Sequence, residues 1–139
     1  MDQNAALASF DDVPPRAALL DRIDRLAVPA DAKALLADLG AITLRVGGKL
    51  IAAGRAILAF ILETVARFPN TAFGLIVALV VSALIASVPL IGALLGPLLA
   101  PLLIAFGLTK GAVADLAGNA LNARVRQIED QFIALGASA

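Results

Sequence analysis

The stretch TAFGLIVALVVSALIASVPLIGALLGPLLAPLLIAFGL, residues 71–108, decides how the rest of this chain is expected to fold. It contains no Asp, Glu, Lys or Arg, although the 139-residue sequence carries 11 basic and 11 acidic side chains elsewhere. An uncharged apolar run of about 18 residues or more is typical of a membrane-spanning helix. This run is roughly twice that length, so we expect two helices rather than one.

Pro89 divides the run, because proline lacks a backbone donor and disfavours helix at the residue before it. We therefore expect helices over residues 71–88 and 89–108, each roughly 27–30 Å long and sufficient for a bare crossing of a ~30 Å hydrocarbon core. The turn between them is predicted at Ser87, Val88 and Pro89. Residues 69–109 are thus predicted to form a membrane-inserted helical hairpin of two short apolar helices.

Small residues recur every four positions in both helices of the predicted hairpin. Small side chains at this spacing let helix backbones approach closely in lipid, so we predict packing contacts here and a homo-oligomer. The alternative is that a sequence rich in alanine and glycine produces such spacings by chance. The positions are Gly74, Ala78, Ser82 and Ala86 in the first helix, and Gly92, Gly96 and Ala100 in the second.

The flanking segments are predicted to complete an all-α fold. Residues 1–15 read as a flexible N-terminal tail and residues 16–28 as a short amphipathic helix. Residues 29–68 read as one long amphipathic helix that lies along the membrane interface. Residues 110–139 read as a C-terminal amphipathic helix with Arg124 on its water side. The apolar stripe of this last helix consists of Leu121, Val125, Ile128, Phe132 and Leu135.

The predicted long helix has an unusually narrow charged side. At about 100° per residue five of its charges fall within a stripe roughly 40° wide, with Lys33 and Arg55 off to one side, so lipid headgroups, the hairpin or other copies must cover most of the rest. Glycines also recur every seven residues, which suits close packing along a left-handed seam, although they could instead only weaken the helix. The stripe contains Asp38, Arg45, Lys49, Glu63 and Arg67, and the glycines are Gly40, Gly47 and Gly54.

Composition argues against several classes of function. The sequence has no His and no Cys, which removes the commonest general base, the thiolate nucleophile and the usual zinc ligands. Its formal net charge of zero argues against a nucleic-acid partner. We find no catalytic constellation, and we predict a non-enzymatic protein without a cofactor or a metal.

Hydropathy and flanking charge instead indicate a lipid bilayer as the partner. Hydrophobic residues make up 60% of the chain and the mean hydropathy is +0.93. Arg67 precedes the hairpin and Lys110 follows it, so the positive-inside rule places both termini on the cytoplasmic side. We expect a bacterial inner membrane as the location.

The layout resembles two architectures in outline. Reticulon-type hairpins are short apolar pairs with amphipathic flanks that wedge into one leaflet, which implies a protein that scaffolds or shapes a membrane or serves as an accessory subunit of a membrane complex. Colicin-like bacteriocins sheathe an uncharged hairpin until it inserts, which implies an oligomeric pore former of the bacteriocin or holin class. A third hypothesis is a soluble helical assembly that buries the hairpin in its own core.

Overall fold

Helices form most of the computed structural model, which describes residues 5, 7–8, 10, 13–46, 48–109 and 118–136. A mostly helical fold is therefore confirmed for this part of the chain. In chain order the elements are α1 (Arg16–Asp24), α2 (Ala30–Gly40), β1 (Leu44–Val46), β2 (Lys49–Ile51), α3 (Ala53–Arg67), α4 (Phe73–Ser87), α5 (Pro89–Phe106) and α6 (Asn119–Gly136).

A β-hairpin interrupts the segment predicted as one long helix, so that prediction is wrong for residues 29–68. Strands β1 and β2 pair antiparallel between α2 and α3, with Leu44 opposite Ile51. Gly48 in the connecting turn adopts a φ of +81°, a left-handed conformation that a continuous right-handed helix excludes. Val46 and Ile51 are buried, so one face of the hairpin packs on the core.

The two ends of the chain pack more closely than predicted. Phe10 lies within the expected flexible tail, yet it is buried and meets Phe132 edge-to-face, with ring centroids 5.2 Å apart. The tail prediction is therefore wrong at Phe10. The predicted apolar stripe of the C-terminal helix is buried along α6 and is confirmed. Other parts of the predicted tail, and residues 110–117 and 137–139, lie outside the described residues.

The predicted apolar hairpin is present as α4 and α5, which pack against each other. Val88 alone separates them, and Pro89 is the first residue of α5, where a missing backbone donor carries no penalty. At the open end Phe73 meets Phe106 edge-to-face, with ring centroids 5.9 Å apart. The two helices are therefore antiparallel, and their turn lies at the predicted residues.

Helix α4 is the centre of the fold. It is apolar on all sides, and α3, α5 and α6 pack around it. A helix without a polar face must lie in a protein core or in lipid, and here the chain itself supplies most of the cover. The buried residues of α4 are Gly74, Leu75, Ile76, Val77, Ala78, Val80, Val81 and Leu84.

Among the residues that the structure describes, no helix combines the length and the apolar character needed to cross a membrane. The prediction that each apolar helix suffices for a bare crossing is corrected by this finding. Helix α4 illustrates the reason, because its 15 residues extend only about 22 Å.

Candidate functional site

One side of α5 is exposed and carries no charged side chain and no side chain that forms hydrogen bonds. Ile104 is 79% exposed and Leu94 is 42% exposed on this side, within one continuous apolar surface. At about 100° per residue the exposed positions cover roughly 160° of the helix circumference. This surface, called the α5 outer face, consists of Pro89, Ala93, Leu94, Gly96, Pro97, Ala100, Pro101 and Ile104.

The opposite side of α5 belongs to the core. Ile91, Leu95 and Leu102 are buried there, and α5 packs against both α4 and α2. The interior prolines Pro97 and Pro101 both lie on the outer face. Proline rings interrupt helical hydrogen bonding, so this placement keeps the interruption away from the packed side.

The α5 outer face continues into an open groove against α2. The groove has a volume of about 460 Å³ and is mostly apolar. Asp31, in the first turn of α2, is the one charged residue that lines it. The uncharged lining residues are Ala34, Leu35, Pro101, Ile104 and Ala105.

The most conspicuous polar cluster surrounds Arg124 on α6, between α6 and α3. Its Nε donates a 3.2 Å hydrogen bond to the Thr64 hydroxyl, and its Nη1 donates a 2.7 Å bond to Gln127 Oε1. Its Nη2 lies 3.3 Å from Glu63 Oε2. The guanidinium also stacks 4.3 Å from the ring centroid of Phe60, a cation–π contact.

Burial has the largest effect on the pKa of Arg124 in this cluster. It lowers the pKa of Arg124, and the nearby positive charge of Arg67 lowers that pKa further, whereas Glu63 raises it. The Arg124 side chain is only 10% exposed, while Glu63 remains 65% exposed. The predicted water-side position of Arg124 is therefore wrong. The cluster ties α6 to α3 and shows no arrangement of nucleophile and base.

A second contact ties α6 to the hairpin. The Ser87 hydroxyl at the end of α4 donates a 2.8 Å hydrogen bond to Glu129 Oε2. Because this bond spans 42 residues of sequence, it fixes the turn of the hairpin against the C-terminal helix.

A cavity of about 450 Å³ opens where α2, the β-hairpin and α3 meet. Arg16 and Arg55 both line it, and none of its described lining residues carries a carboxylate. This site, called the arginine cavity, is lined by Arg16, Gly40, Thr43, Leu50, Ala52 and Arg55, together with Ala41. The sequence offers no spacing that would have brought these residues together.

At two of the glycines predicted to pack closely, the close contact is with other parts of the same chain. A Cβ on Gly54 would collide with the carbonyl oxygen of Leu39, and one on Gly40 would lie 2.6 Å from Leu58 Cδ1. These two glycines thus lie where α2 meets α3 rather than along one helix. Gly47 lies outside the described residues.

The small residues of the apolar hairpin divide between its interior and its surface. A Cβ on Gly74 would lie 2.6 Å from the Phe106 ring, and one on Gly92 would lie 3.0 Å from the Ile85 carbonyl oxygen. Gly96 has nothing within 4 Å of such a Cβ. Of the remaining predicted positions, Ala78 is buried, Ser82 is half-buried, and Ala86 and Ala100 are exposed.

The predicted polar stripe is not a single stripe. Its members are all exposed, but they lie on four separate elements because the β-hairpin breaks the expected helix. Asp38 lies on α2, Arg45 on β1, Lys49 on β2, and Glu63 and Arg67 on α3.

In the part of the chain that the structure describes, no group of three or more His, Cys, Asp or Glu side chains is placed to hold a metal ion. The sequence-based prediction overlooked the α5 outer face as a distinct surface. Prolines four residues apart must share one side of a helix, so Pro97 and Pro101 could have indicated it. Comparison with protein-family models, with curated proteins and with solved structures found no match to this chain.

Proposed function

We propose that this chain is a non-enzymatic protein that attaches to one leaflet of a lipid bilayer through its apolar hairpin and, in many copies, shapes or scaffolds the membrane. The observation that supports this proposal is the α5 outer face, which is exposed along its length without a single charge. In this arrangement α5 lies in the boundary between headgroups and acyl chains, roughly 5–10 Å deep, and does not cross the bilayer.

The exposed fractions of two side chains allow an estimate of the free energy with which one copy binds the bilayer. Complete burial of a Leu or Ile side chain contributes about 1.5–3 kcal/mol. Scaled by its exposed fraction of 79%, Ile104 contributes about 1.2–2.4 kcal/mol on entering lipid. Leu94, at 42% exposure, contributes about 0.6–1.3 kcal/mol. One copy therefore binds weakly and reversibly, and stable attachment needs several copies or a second contact.

The size of the α5 outer face favours lipid over a second copy as the main occupant. A helix of 18 residues is about 27 Å long, so a face about 10 Å wide offers roughly 270 Å². A stable protein–protein interface needs about 800 Å² from each partner. A bilayer sets no such threshold, because it adapts its shape to the surface that enters it.

Self-association on the membrane is the second element of the proposal. Gly96 and Ala100 lie toward one edge of the α5 outer face, and a Cβ on Gly96 would meet nothing within 4 Å. Neighbouring copies can approach closely at that edge while Ile104 contacts lipid. The same arrangement suits an accessory subunit of a larger membrane complex, at the cytoplasmic side of a bacterial inner membrane.

Pore formation is the second candidate, favoured by the burial of α4. An uncharged helix enclosed by α3, α5 and α6 is the arrangement expected of a hairpin stored for later insertion. This mechanism requires α3 and α6 to separate from α4, and it predicts efflux of a small dye from vesicles. The leaflet attachment predicts changed vesicle shape without efflux.

Flotation with vesicles of pure phosphatidylcholine tests the proposal. Wild-type protein should float with the vesicles, and Ile104→Gln should weaken binding about 8- to 60-fold, from the 1.2–2.4 kcal/mol estimated above. Ile133→Gln is the matched control, because Ile133 is an exposed isoleucine on α6, away from the α5 outer face. Circular dichroism of each variant establishes that the helices are retained.

Two outcomes would overturn the proposal. One is wild-type protein that stays in the aqueous phase at every ratio of lipid to protein. The other is an equal loss of binding in Ile104→Gln and Ile133→Gln, since the α5 outer face would then have no special part. Dye efflux with unchanged vesicle shape would replace leaflet attachment with the pore.

A further inference from the structure

The arginine cavity combines positive charge, with no carboxylate among its described lining residues, and an exposed aliphatic wall. Arg55 is half-buried, and among the described residues it has neither a hydrogen bond nor an ion pair. Arg16 donates one hydrogen bond, 3.2 Å from its Nη2 to the carbonyl oxygen of Ala37. Most of the ten guanidinium N–H donors of the two residues are therefore available.

An anion is the ligand that this charge arrangement selects. A partly buried guanidinium without a counter-charge loses hydration, and a bound anion restores the lost interaction. The planar fork of N–H groups in arginine matches the oxygen atoms of phosphate and carboxylate. Thr43 adds a hydroxyl to the same wall. The volume of about 450 Å³ lies within the range of small-ligand sites, roughly 300–1,000 Å³.

The walls indicate an anion that belongs to an amphiphile. Leu50 lines the cavity and is 60% exposed, although it is a large aliphatic residue on a short strand. Arg45 is paired with Leu50 in the β-hairpin, so both side chains extend from the same face. Arg45 does not line the cavity itself, but it adds a third positive charge beside the exposed Leu50. A free inorganic ion would make no use of Leu50, whereas an acyl chain would cover it.

We propose that the arginine cavity binds the phosphate headgroup of an anionic phospholipid, with Leu50 against the acyl chains. The inference rests on the proposed attachment to a membrane and supplies the second contact that the weak α5 outer face needs. Helix α2 connects the two surfaces. Leu35, midway along α2, lines the groove beside Ile104, and Gly40, the last residue of α2, lines the arginine cavity about 8 Å further along the helix axis.

The test uses the full chain and two kinds of vesicle, pure phosphatidylcholine and phosphatidylcholine doped with phosphatidylglycerol. Doping should tighten binding of the wild-type protein. The double variant Arg16→Gln/Arg55→Gln should lose about 30-fold of affinity for the doped vesicles and keep its affinity for the neutral ones. Arg22→Gln/Arg126→Gln is the matched control, since it removes the same charge from two exposed arginines outside the cavity. This control should lose no more than a few-fold.

The outcomes separate failure of this inference from failure of the proposed function. Absence of wild-type binding to both kinds of vesicle would overturn both. Binding to neutral vesicles with no gain on doping, or with an equal loss in the two double variants, would overturn the headgroup site alone. Binding of inorganic phosphate that is lost in Arg16→Gln/Arg55→Gln, together with no gain of wild-type vesicle binding on doping, would assign the cavity to free phosphate and overturn the lipid ligand.

Discussion

Thr64→Val should destabilise the fold more than Arg124→Met, although the arginine is the larger residue and forms more contacts. The Thr64 hydroxyl is fully buried, donates a 2.7 Å hydrogen bond to the carbonyl oxygen of Phe60, and accepts the bond from Arg124 Nε. Valine has the same shape as threonine, so this substitution removes polar contacts and little packing. The two substitutions differ in whether they leave a buried polar group without a hydrogen-bond partner.

Thr64→Val leaves a charged donor without its acceptor. The Arg124 side chain is 10% exposed, so water replaces the lost hydroxyl poorly. An unsatisfied buried donor costs about 1–3 kcal/mol and more when the group is charged, so we expect a loss of about 2–3 kcal/mol.

Arg124→Met leaves no group stranded. Glu63 is 65% exposed and returns to water, and the Thr64 hydroxyl keeps its bond to Phe60. The lost cation–π contact costs about 1 kcal/mol, while removal of a poorly hydrated charge offsets part of that cost. The methionine side chain fills the space of the arginine stem. We therefore expect a loss of only about 0–1 kcal/mol.

Urea unfolding followed by circular dichroism measures both changes, provided that the slope of the transition is unchanged. The double variant Thr64→Val/Arg124→Met should be no less stable than Arg124→Met alone, because no guanidinium remains to be stranded. Thr43→Val, at an exposed threonine, is the control and should stay within about 0.5 kcal/mol of wild type. Equal losses in the two single variants, or additive losses in the double variant, would refute this reasoning.

Two further predictions concern packing between elements. Gly54→Ala should lower the free energy of unfolding by about 3 kcal/mol, because the new Cβ meets a backbone carbonyl of α2 that cannot rotate away. Gly96→Ala faces open space, so it should be neutral or stabilising by up to about 1 kcal/mol. Equal urea midpoints for the two variants would contradict this. Phe10→Ala should cost about 3 kcal/mol through its edge-to-face contact with Phe132, and a loss below about 0.5 kcal/mol would show that Phe10 is not packed.

The turn of the apolar hairpin was predictable because local chemistry determines it. Pro89 cannot donate to a continuing helix, and it constrains Val88 whatever lies elsewhere in the chain. The buried stripe of α6 was predictable for a similar reason, since its helical spacing is visible in consecutive residues.

The β-hairpin was missed because the prediction continued one helix through the glycine pair at residues 47 and 48. The alternation of Leu44 and Val46 with polar neighbours, followed by Ile51, was the signal for short strands. A three-residue strand is a weak pattern, and apolar residues on both sides supported the helical interpretation.

The Arg124 cluster and the arginine cavity could not be predicted from local pattern. Arg124 meets Glu63 across 61 residues of sequence, and Arg16 reaches Ala37 across 21. Such contacts depend on which helix faces become neighbours, and helical spacing specifies only the faces. Arg124 was assigned to the water side because its α6 neighbours are charged, whereas the docking of α3 buries it.

The prolines on the α5 outer face also limit how deeply α5 can enter a lipid bilayer. Pro97 and Pro101 have no N–H to offer the carbonyl oxygens of Ala93 and Pro97, which precede them by four residues. In hydrocarbon, each carbonyl deprived of a donor costs several kcal/mol, more than Ile104 and Leu94 gain together. Those two carbonyl oxygens therefore limit the depth of insertion, because they keep α5 at the level of the bilayer that water still reaches.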